Sequence, residues 1–170
     1  MSTVPRFLGL LATHGSPARY RRVDSLIACP CRTPEGFRDP QWHMAQPAPK
    51  PPLCNEAGFL PDPAATKDVI VKAFIQPIQS TRATRLNIEI MMEGWGDIEA
   101  DDHLGILPYE YAGVTLNFYD WGRSGEDFVE YNDRRFTVIN ANLIPDPADG
   151  NEKHHWEVGL RLINDAPITA

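Results

Sequence analysis

Apolar and polar residues alternate almost without error along three stretches of the chain, residues 86–93, 114–119 and 156–162. Successive side chains of a β-strand point to opposite faces, so this period of two predicts strands with one buried and one solvated face. The sequence therefore predicts a small antiparallel β-domain in the second half of the chain. The first half shows almost no such pattern and needs a separate explanation.

Further strand signals extend this β-domain. Residues 69–75 are predicted to form its first strand, and residues 127–131 and 135–140 flank a polar turn signal. The last strand is expected over residues 155–163. About six strands with frequent turns and no convincing amphipathic helix favour an all-β fold, an antiparallel barrel or sandwich over residues 67–163.

Proline dominates the region before this domain. The chain has 16 prolines, which concentrate outside the predicted strands. Proline fixes φ and lacks a backbone donor, so a proline-rich stretch forms neither a regular helix nor a central strand. We therefore expect residues 1–66 to form a long proline-rich extension, partly anchored by its aromatic side chains. Residues 164–170 are expected to form a C-terminal tail.

Charge and hydropathy narrow the class of protein. A net charge of −7 argues against a surface that grips nucleic acid through its phosphates, although DNA could still pass nearby. No apolar run approaches the ~20 residues of a membrane helix. The apolar segment at residues 7–12 is too short for a span and lacks the features of a secretion signal. We expect a soluble protein that is made in the cytoplasm and has no membrane partner.

Three cysteines and one histidine form the sharpest chemical pattern in the chain. Cys29 and Cys31 flank a proline, and His43 and Cys54 follow in the same proline-rich segment. Three thiolates and one imidazole are a ligand set of structural tetrahedral zinc, and such a site would order a segment that has no core of its own. The alternatives are ordinary free thiols or one oxidised pair.

Other polar clusters have simpler explanations. The histidines at 154–155 would point to opposite faces of a strand, which predicts an exposed His154 and no shared ion. Residues 101–103 are predicted to belong to a solvated acidic loop. Residues 146–152 match no calcium-loop spacing and are predicted to be a plain turn.

The chain carries no recognisable catalytic motif. It has no phosphate-cradling glycine loop, no nucleophile elbow and no zinc-protease helix. No segment combines a nucleophile, a base and an orienting group. The sequence therefore favours a structural or binding protein over an enzyme, and we expect no catalytic residue.

Several motifs together resemble one protein family. Residues 72–77 and 105–108 are followed by a hairpin at 127–138 and a closing strand at 155–158. In this order they are similar to the head-completion proteins of tailed bacteriophages, the stopper or head-closure proteins of the head-to-tail connector. The cysteine- and proline-bearing segment 29–60 resembles that of connector proteins from actinobacterial phages. The resemblance covers residues 67–163 and, for the extension, residues 6–60.

The resemblance implies a small barrel that assembles with further copies of itself into a ring, of about six or twelve copies, in the virion neck. Such a ring would contact portal and adaptor proteins on one side and tail-terminator or tail-tube proteins on the other. It would retain packaged double-stranded DNA without reading its sequence. The extension would then supply anchors against neighbouring subunits, for which we select Trp42, Phe59 and Leu60.

Charge alone predicts which loop would face the DNA. The loop containing Glu99, Asp101 and Asp102 is acidic, and an acidic channel wall would repel phosphates. Two alternatives remain open. The chain could be another joining subunit, an adaptor or tail terminator, or it could be a zinc-stabilised small β-barrel enzyme or binding protein.

Overall fold

The computed structural model describes residues 2–78, 101–122 and 127–163. Within these ranges, two short α-helices and ten strands follow one another. They are α1 Val4–His14, β1 Ser16–Val23, β2 Leu26–Ala28, α2 Pro40–Ala45, β3 Phe59–Pro61, β4 Thr66–Pro77, β5 His103–Pro108, β6 Glu110–Tyr111, β7 Val114–Thr115, β8 Phe128–Tyr131, β9 Arg134–Asp146 and β10 Asp149–Leu162. No helix within the described ranges has the length and apolarity needed to cross a membrane.

Six strands close into an antiparallel barrel in the order β1-β4-β5-β10-β9-β8. The ring closes because β1 pairs with β4 on one side and with β8 on the other. The prediction of an all-β fold with an antiparallel barrel is confirmed. The barrel also takes its first strand from Ser16–Val23, which lies before the domain start predicted at residue 67.

Alternation along the strands builds the barrel core. On β4, Val71, Ala73 and Ile75 are buried while the residues between them are not, as a period of two requires. The largest fully buried side chains of this core come from several strands, so the interior is shared around the barrel. The core comprises Ala18, Tyr20, Val71, Ala73, Ile75, Leu107, Leu116, Phe118, Val129, Phe136, Trp156, Val158 and Leu160.

One predicted strand is only partly a strand. The sequence predicts extended structure over 114–119, but the ladder ends with β7 at Thr115. Leu116 and Phe118 are nevertheless buried, so the alternation of side chains is real. The Leu116 amide still donates to the carbonyl of Tyr109 at 2.9 Å, but the residues that follow enter the barrel core outside any ladder, which periodicity cannot reveal.

Barrel side chains replace the missing ladder bonds of this segment. The indole N–H of Trp156 donates to the carbonyl of Leu116 at 3.1 Å. The hydroxyl of Tyr20 donates to the carbonyl of Asn117 at 3.0 Å, and Arg22 donates to the same carbonyl at 2.8 Å. Burial raises the pKa of Tyr20 to about 12, so its hydroxyl keeps the donating proton. Residues 116–118 are thereby held as a plug in the barrel.

The predicted hairpin between β8 and β9 is present. Its two turn residues, Asn132 and Asp133, both have positive φ, which two-residue turns between twisted strands favour. A second hairpin joins β9 and β10, and its strands extend to Asp146 and Asp149. The turn predicted at 146–152 is present but shorter, at residues 147–148, because β9 continues to Asp146 and β10 begins at Asp149; these two strand ends form the β9–β10 ribbon.

Helix α1 was not predicted. Pro5 occupies its first turn, where proline is tolerated, and Leu11 is fully buried. Phe7 also faces the barrel, in contact with its histidines. Val4, Phe7, Leu8 and Leu11 follow the i, i+3, i+4, i+7 spacing of an amphipathic helix and are all buried or half-buried, so the signal for this helix was present in the sequence and was missed.

Three parts of the sequence-based expectation lie outside the described residues. These are the strand at 86–93, Glu99 of the acidic loop and the tail at 164–170.

Candidate metal centre

A two-stranded ladder positions two of the four predicted ligands. Strands β2 and β3 pair in antiparallel register, with Ala28 opposite Phe59. Cys29 directly follows β2, and its amide donates to the carbonyl of Gly58 at 2.9 Å. Gly58 has a φ of +77°, and an added Cβ would lie 2.8 Å from the Arg32 side chain, so both conformation and space require glycine. Cys54 lies just ahead of this turn.

A turn and a short helix position the other two ligands. The carbonyl of Cys31 accepts a hydrogen bond from the amide of Asp39 at 3.0 Å. The Asp39 carboxylate then caps helix α2 by accepting from the amide of Gln41 at 2.9 Å. His43 lies one turn into this helix, so the cap and the turn together direct its ring toward the cysteines.

The four ligand atoms converge on one small volume. They all lie within 4.8 Å of one another, and all four residues are buried. Nε2 of His43 is 3.5 Å from Sγ of Cys29 and 3.3 Å from Sγ of Cys54. The sulfurs of Cys31 and Cys54 are 3.3 Å apart. None of the three cysteines is in a disulfide.

This arrangement fits a tetrahedral metal ion. Bonds of about 2.3 Å to sulfur and about 2.0 Å to nitrogen place the ligands of a tetrahedron roughly 3.5–3.8 Å apart. The contacts of 3.3–3.5 Å are close to those edges. Cys29, Cys31, His43 and Cys54 can therefore hold a metal ion. Within the described part of the chain, the Nδ1 atom of His43 is buried without a hydrogen-bond partner.

The thiols differ in acidity. Burial raises the pKa of Cys31, and the neighbouring thiols raise it further. Burial opposes ionisation of Cys54 as well, but hydrogen bonds from Cys31, His43 and Cys29 and the charge of Arg38 outweigh it and lower its pKa. A cation at the centre would favour the ionised form of all three thiols, because thiolates are the metal-binding form.

The predicted neighbour-binding anchors are half-buried near this centre. Trp42 and Leu60 are partly buried against the cysteines. The guanidinium of Arg32 lies over the Phe59 ring, 4.4 Å from its centroid. Each of the three side chains makes contacts within its own chain and keeps part of its surface exposed, so its role as an anchor against a neighbouring subunit stays a prediction.

More exposed apolar residues were missed by the sequence analysis. Phe37 and Met44 each leave 73% of their surface exposed, and Leu53 leaves 74%. All three belong to the segment that surrounds the metal centre. Their apolar character in a polar, proline-rich context was the available signal, but exposure cannot be judged without the fold.

The acidic loop differs from its prediction. Asp101 is exposed, as a solvated loop residue should be. Asp102 is fully buried and forms an ion pair with Arg161 at 2.9 Å. The expectation that Asp102 faces a channel is wrong for this reason: its carboxylate is already neutralised inside the chain.

The adjacent histidines also differ from their prediction. His154 is buried rather than exposed, and its Nδ1 atom lies 2.7 Å from Nδ1 of His155. The β9–β10 ladder shifts register between Lys153 and His155, which breaks the alternation that would separate the rings. Phe7 packs against both rings, with centroids 4.6 and 5.1 Å away.

The three acidic residues of the β9–β10 ribbon do not form a cation site. Asp146 is fully buried, whereas Asp149 and Glu152 are exposed. The Asp146 carboxylate accepts hydrogen bonds from the hydroxyl of Ser2 at 2.8 Å and from the hydroxyl of Thr3 at 2.6 Å. Its function is to hold the start of α1 against the ribbon.

Comparison of the chain with models of known protein families, with curated proteins and with solved structures finds no match. The candidate function therefore rests on the residues and on the geometry of the chain itself.

Proposed function

We propose that this chain is a structural protein in which a zinc ion stabilises the fold of a proline-rich arm, residues 24–65, beside a closed barrel. One observation carries the proposal: four buried ligand atoms from four separate positions of the arm lie within 4.8 Å of one another. A site closed by four protein ligands is typical of structural zinc, whereas catalytic zinc keeps one position for water.

The composition of the arm explains why it needs a metal. The buried cluster of the arm consists of Cys29, Cys31 and Cys54, with Trp42 and Leu60 partly buried beside it. So few apolar side chains stabilise a fold weakly, and metal binding would supply folding free energy that burial does not. Zinc is the ion that three thiolates and one imidazole in tetrahedral geometry favour.

We further propose that the chain is a ring subunit of a tailed-phage neck, most similar in role to a stopper protein. The motif resemblance supports this role. A rigid closed barrel with a separate arm suits a ring subunit, because the barrel resists deformation and the arm reaches a neighbour. The exposed apolar residues Phe37, Met44 and Leu53 are the anchors that such contacts would bury.

The negative charge suits a channel through which DNA passes. A net charge of −7 disfavours tight phosphate binding, and Asp101 remains an exposed carboxylate. The partners in this proposal are further copies of the chain, portal and adaptor proteins, and tail-terminator or tail-tube proteins. The protein would be assembled in the host cytoplasm and end in the virion neck.

Two measurements on the purified full chain test the two halves of the proposal. Elemental analysis should find about one zinc ion per chain. Native mass spectrometry and electron microscopy should find closed rings at high protein concentration. A substitution of all three exposed anchors, Phe37, Met44 and Leu53, by serine should leave zinc content unchanged and abolish the rings. A chain that remains monomeric with the portal complex present would overturn the neck role, and a zinc-free chain purified under reducing conditions would overturn the metal role.

One observation favours a second candidate, a ligand-binding barrel. A cavity of about 780 Å³ lies between α1 and the β6–β7 hairpin, within the size range of small-molecule sites. Val4 and Leu8 form an apolar wall, and Tyr109 and Lys153 face it. A thermal-shift screen of small metabolites would support this candidate if a hit lost its effect in Leu8→Trp, which fills the cavity.

A further inference from the structure

Two of the proposed zinc ligands are already in contact with each other. The sulfurs of Cys31 and Cys54 are 3.3 Å apart, and Nε2 of His43 lies 3.5 Å from the sulfur of Cys29. We propose that Cys31 and Cys54 form a peroxide-sensitive pair, whose oxidation to a disulfide releases the zinc. This inference rests on the proposed zinc site and adds a modification to it.

The surroundings favour Cys54 as the thiol that is oxidised first and disfavour a bridge from Cys29 to Cys31. Cys54 is the most exposed of the three cysteines, at 7% against 3% for Cys29 and 2% for Cys31, so a small oxidant reaches it first. A bridge between Cys29 and Cys31 would close a ring across Pro30 alone, whose φ is fixed, and disulfide geometry tolerates little distortion.

The reaction balances with a hydroperoxide as the oxidant. The Cys54 thiolate attacks a peroxide oxygen, so that an S–O bond forms, the O–O bond breaks and hydroxide leaves. The Cys31 thiolate then attacks the sulfur of the Cys54 sulfenic acid, so that the S–S bond forms, the S–O bond breaks and a second hydroxide leaves. The two sulfurs have lost two electrons and hydrogen peroxide has gained them. Solvent protons convert both hydroxides to water.

Loss of two thiolates leaves zinc with only Cys29 and His43 from this site. Two ligands do not hold a structural zinc ion against water, so the metal leaves. The new disulfide still links the segment before α2, at Cys31, to the segment after α2, at Cys54. The β2–β3 ladder is thus retained, while α2 loses the ligand bond that fixes His43.

The proposed neck role provides a setting for this oxidation. A virion leaves a reducing cytoplasm for an oxidising exterior, where disulfides persist and thiols do not. The arm would be closed by zinc during assembly and by a disulfide in the released particle.

The test uses the zinc-loaded full chain, hydrogen peroxide and a chromogenic zinc chelator. Peroxide should release about one zinc ion per chain, and a thiol reductant with added zinc should restore binding. A non-reducing peptide map with alkylation should find one bridge, from Cys31 to Cys54, and an alkylated Cys29. In Cys31→Ser, Cys54 should instead be trapped as a sulfenic acid by a dimedone probe.

Two outcomes would overturn the inference. In one, zinc stays bound while the exposed Met44 is oxidised by the same peroxide. In the other, Cys29 is part of the bridge. A chain that contains no zinc before peroxide is added would overturn the proposed zinc site instead, and the peptide map of the metal-free chain would then decide the pairing alone.

Discussion

Asp102 and Arg161 form a two-pronged salt bridge at the edge of the barrel. Nε of Arg161 donates to one carboxylate oxygen at 3.0 Å and a terminal nitrogen donates to the other at 2.9 Å. Only 1% of the Asp102 side chain is exposed, against 31% for Arg161. The pair joins the residue before β5 to the end of β10, so it stabilises the seam where these two strands meet.

Neutralising this carboxylate should destabilise the barrel. Asp102→Asn keeps the shape but leaves Arg161 with a neutral partner, so we expect the free energy of unfolding to fall by about 2–3 kcal/mol. Urea titration monitored by tryptophan fluorescence measures this free energy of unfolding. Asp101→Asn is the matched control, because Asp101 is exposed and its loss should change stability by less than about 0.5 kcal/mol. Equal effects of the two substitutions would contradict this account of the salt bridge.

Removal of a metal ligand should unfold the arm and spare the barrel. His43→Asn removes the imidazole while α2 keeps its cap, so we expect zinc content to fall at least about 10-fold under chelator competition. Limited proteolysis should then cut within residues 29–61 and leave the β4–β10 region intact. His14→Asn is the control, because His14 is exposed on α1. A protease-resistant arm in metal-free His43→Asn would show that the arm folds without the ion.

Asp146 should govern the attachment of α1. Its carboxylate accepts bonds from Ser2 and Thr3, and these bonds hold its pKa well below the usual carboxylate range despite burial. Asp146→Ala should therefore speed hydrogen exchange of the α1 amides at least about 10-fold while barrel amides remain protected. The exposed Asp149 provides the control variant, Asp149→Ala. Unchanged exchange in α1 would mean that Leu11 and Phe7 hold the helix alone.

His155 should make the fold sensitive to mild acid. Burial, with a smaller effect from the charge of His154, lowers its pKa to about 4, whereas the unfolded chain binds the proton near pH 6.5. Between these values the unfolded state takes up a proton that the folded state does not, so stability falls as the pH falls. Because water still reaches the ring, we expect a loss of about 1–2 kcal/mol across this window.

Urea unfolding at about pH 7 and about pH 5 measures this loss. His155→Gln should flatten the dependence, and the exposed His14→Gln should not. Glu157 faces the ring at 3.6 Å, and burial raises its own pKa. Glu157→Gln therefore checks whether the carboxylate contributes to the slope. Identical slopes in the chain and in His155→Gln would contradict the assignment to His155.

The local sequence pattern was sufficient to predict strands whose side chains alternate between buried and exposed positions, and turns whose residues tolerate positive φ. On β4, the buried residues Val71, Ala73 and Ile75 alternate with more exposed residues. In the β8–β9 turn, Asn132 and Asp133 are residue types that tolerate positive φ. The metal ligands could also be selected from sequence. Cysteine and histidine in a segment without a core have few other uses, so their type alone was informative.

Contacts between segments far apart in the sequence determined the features that the local pattern could not predict. Ser16–Val23 became a barrel strand because it pairs with both β4 and β8, whose positions the local sequence does not encode. Trp42 and Leu60 pack against the cysteines, and Phe59 packs under Arg32, which are contacts that their residue type alone did not predict.

The sequence by itself determined the strand periodicity, the turn chemistry and the four thiol and imidazole ligands, because each depends on residue type and near spacing. Only the tertiary structure decided that β1 completes the barrel, that Asp102 is buried beneath Arg161, and that a register shift brings His154 and His155 together. The physical reason is that burial and pairing depend on which segments meet in space. A carboxylate is expected to be solvated until an arginine from β10 lies within 3 Å of it.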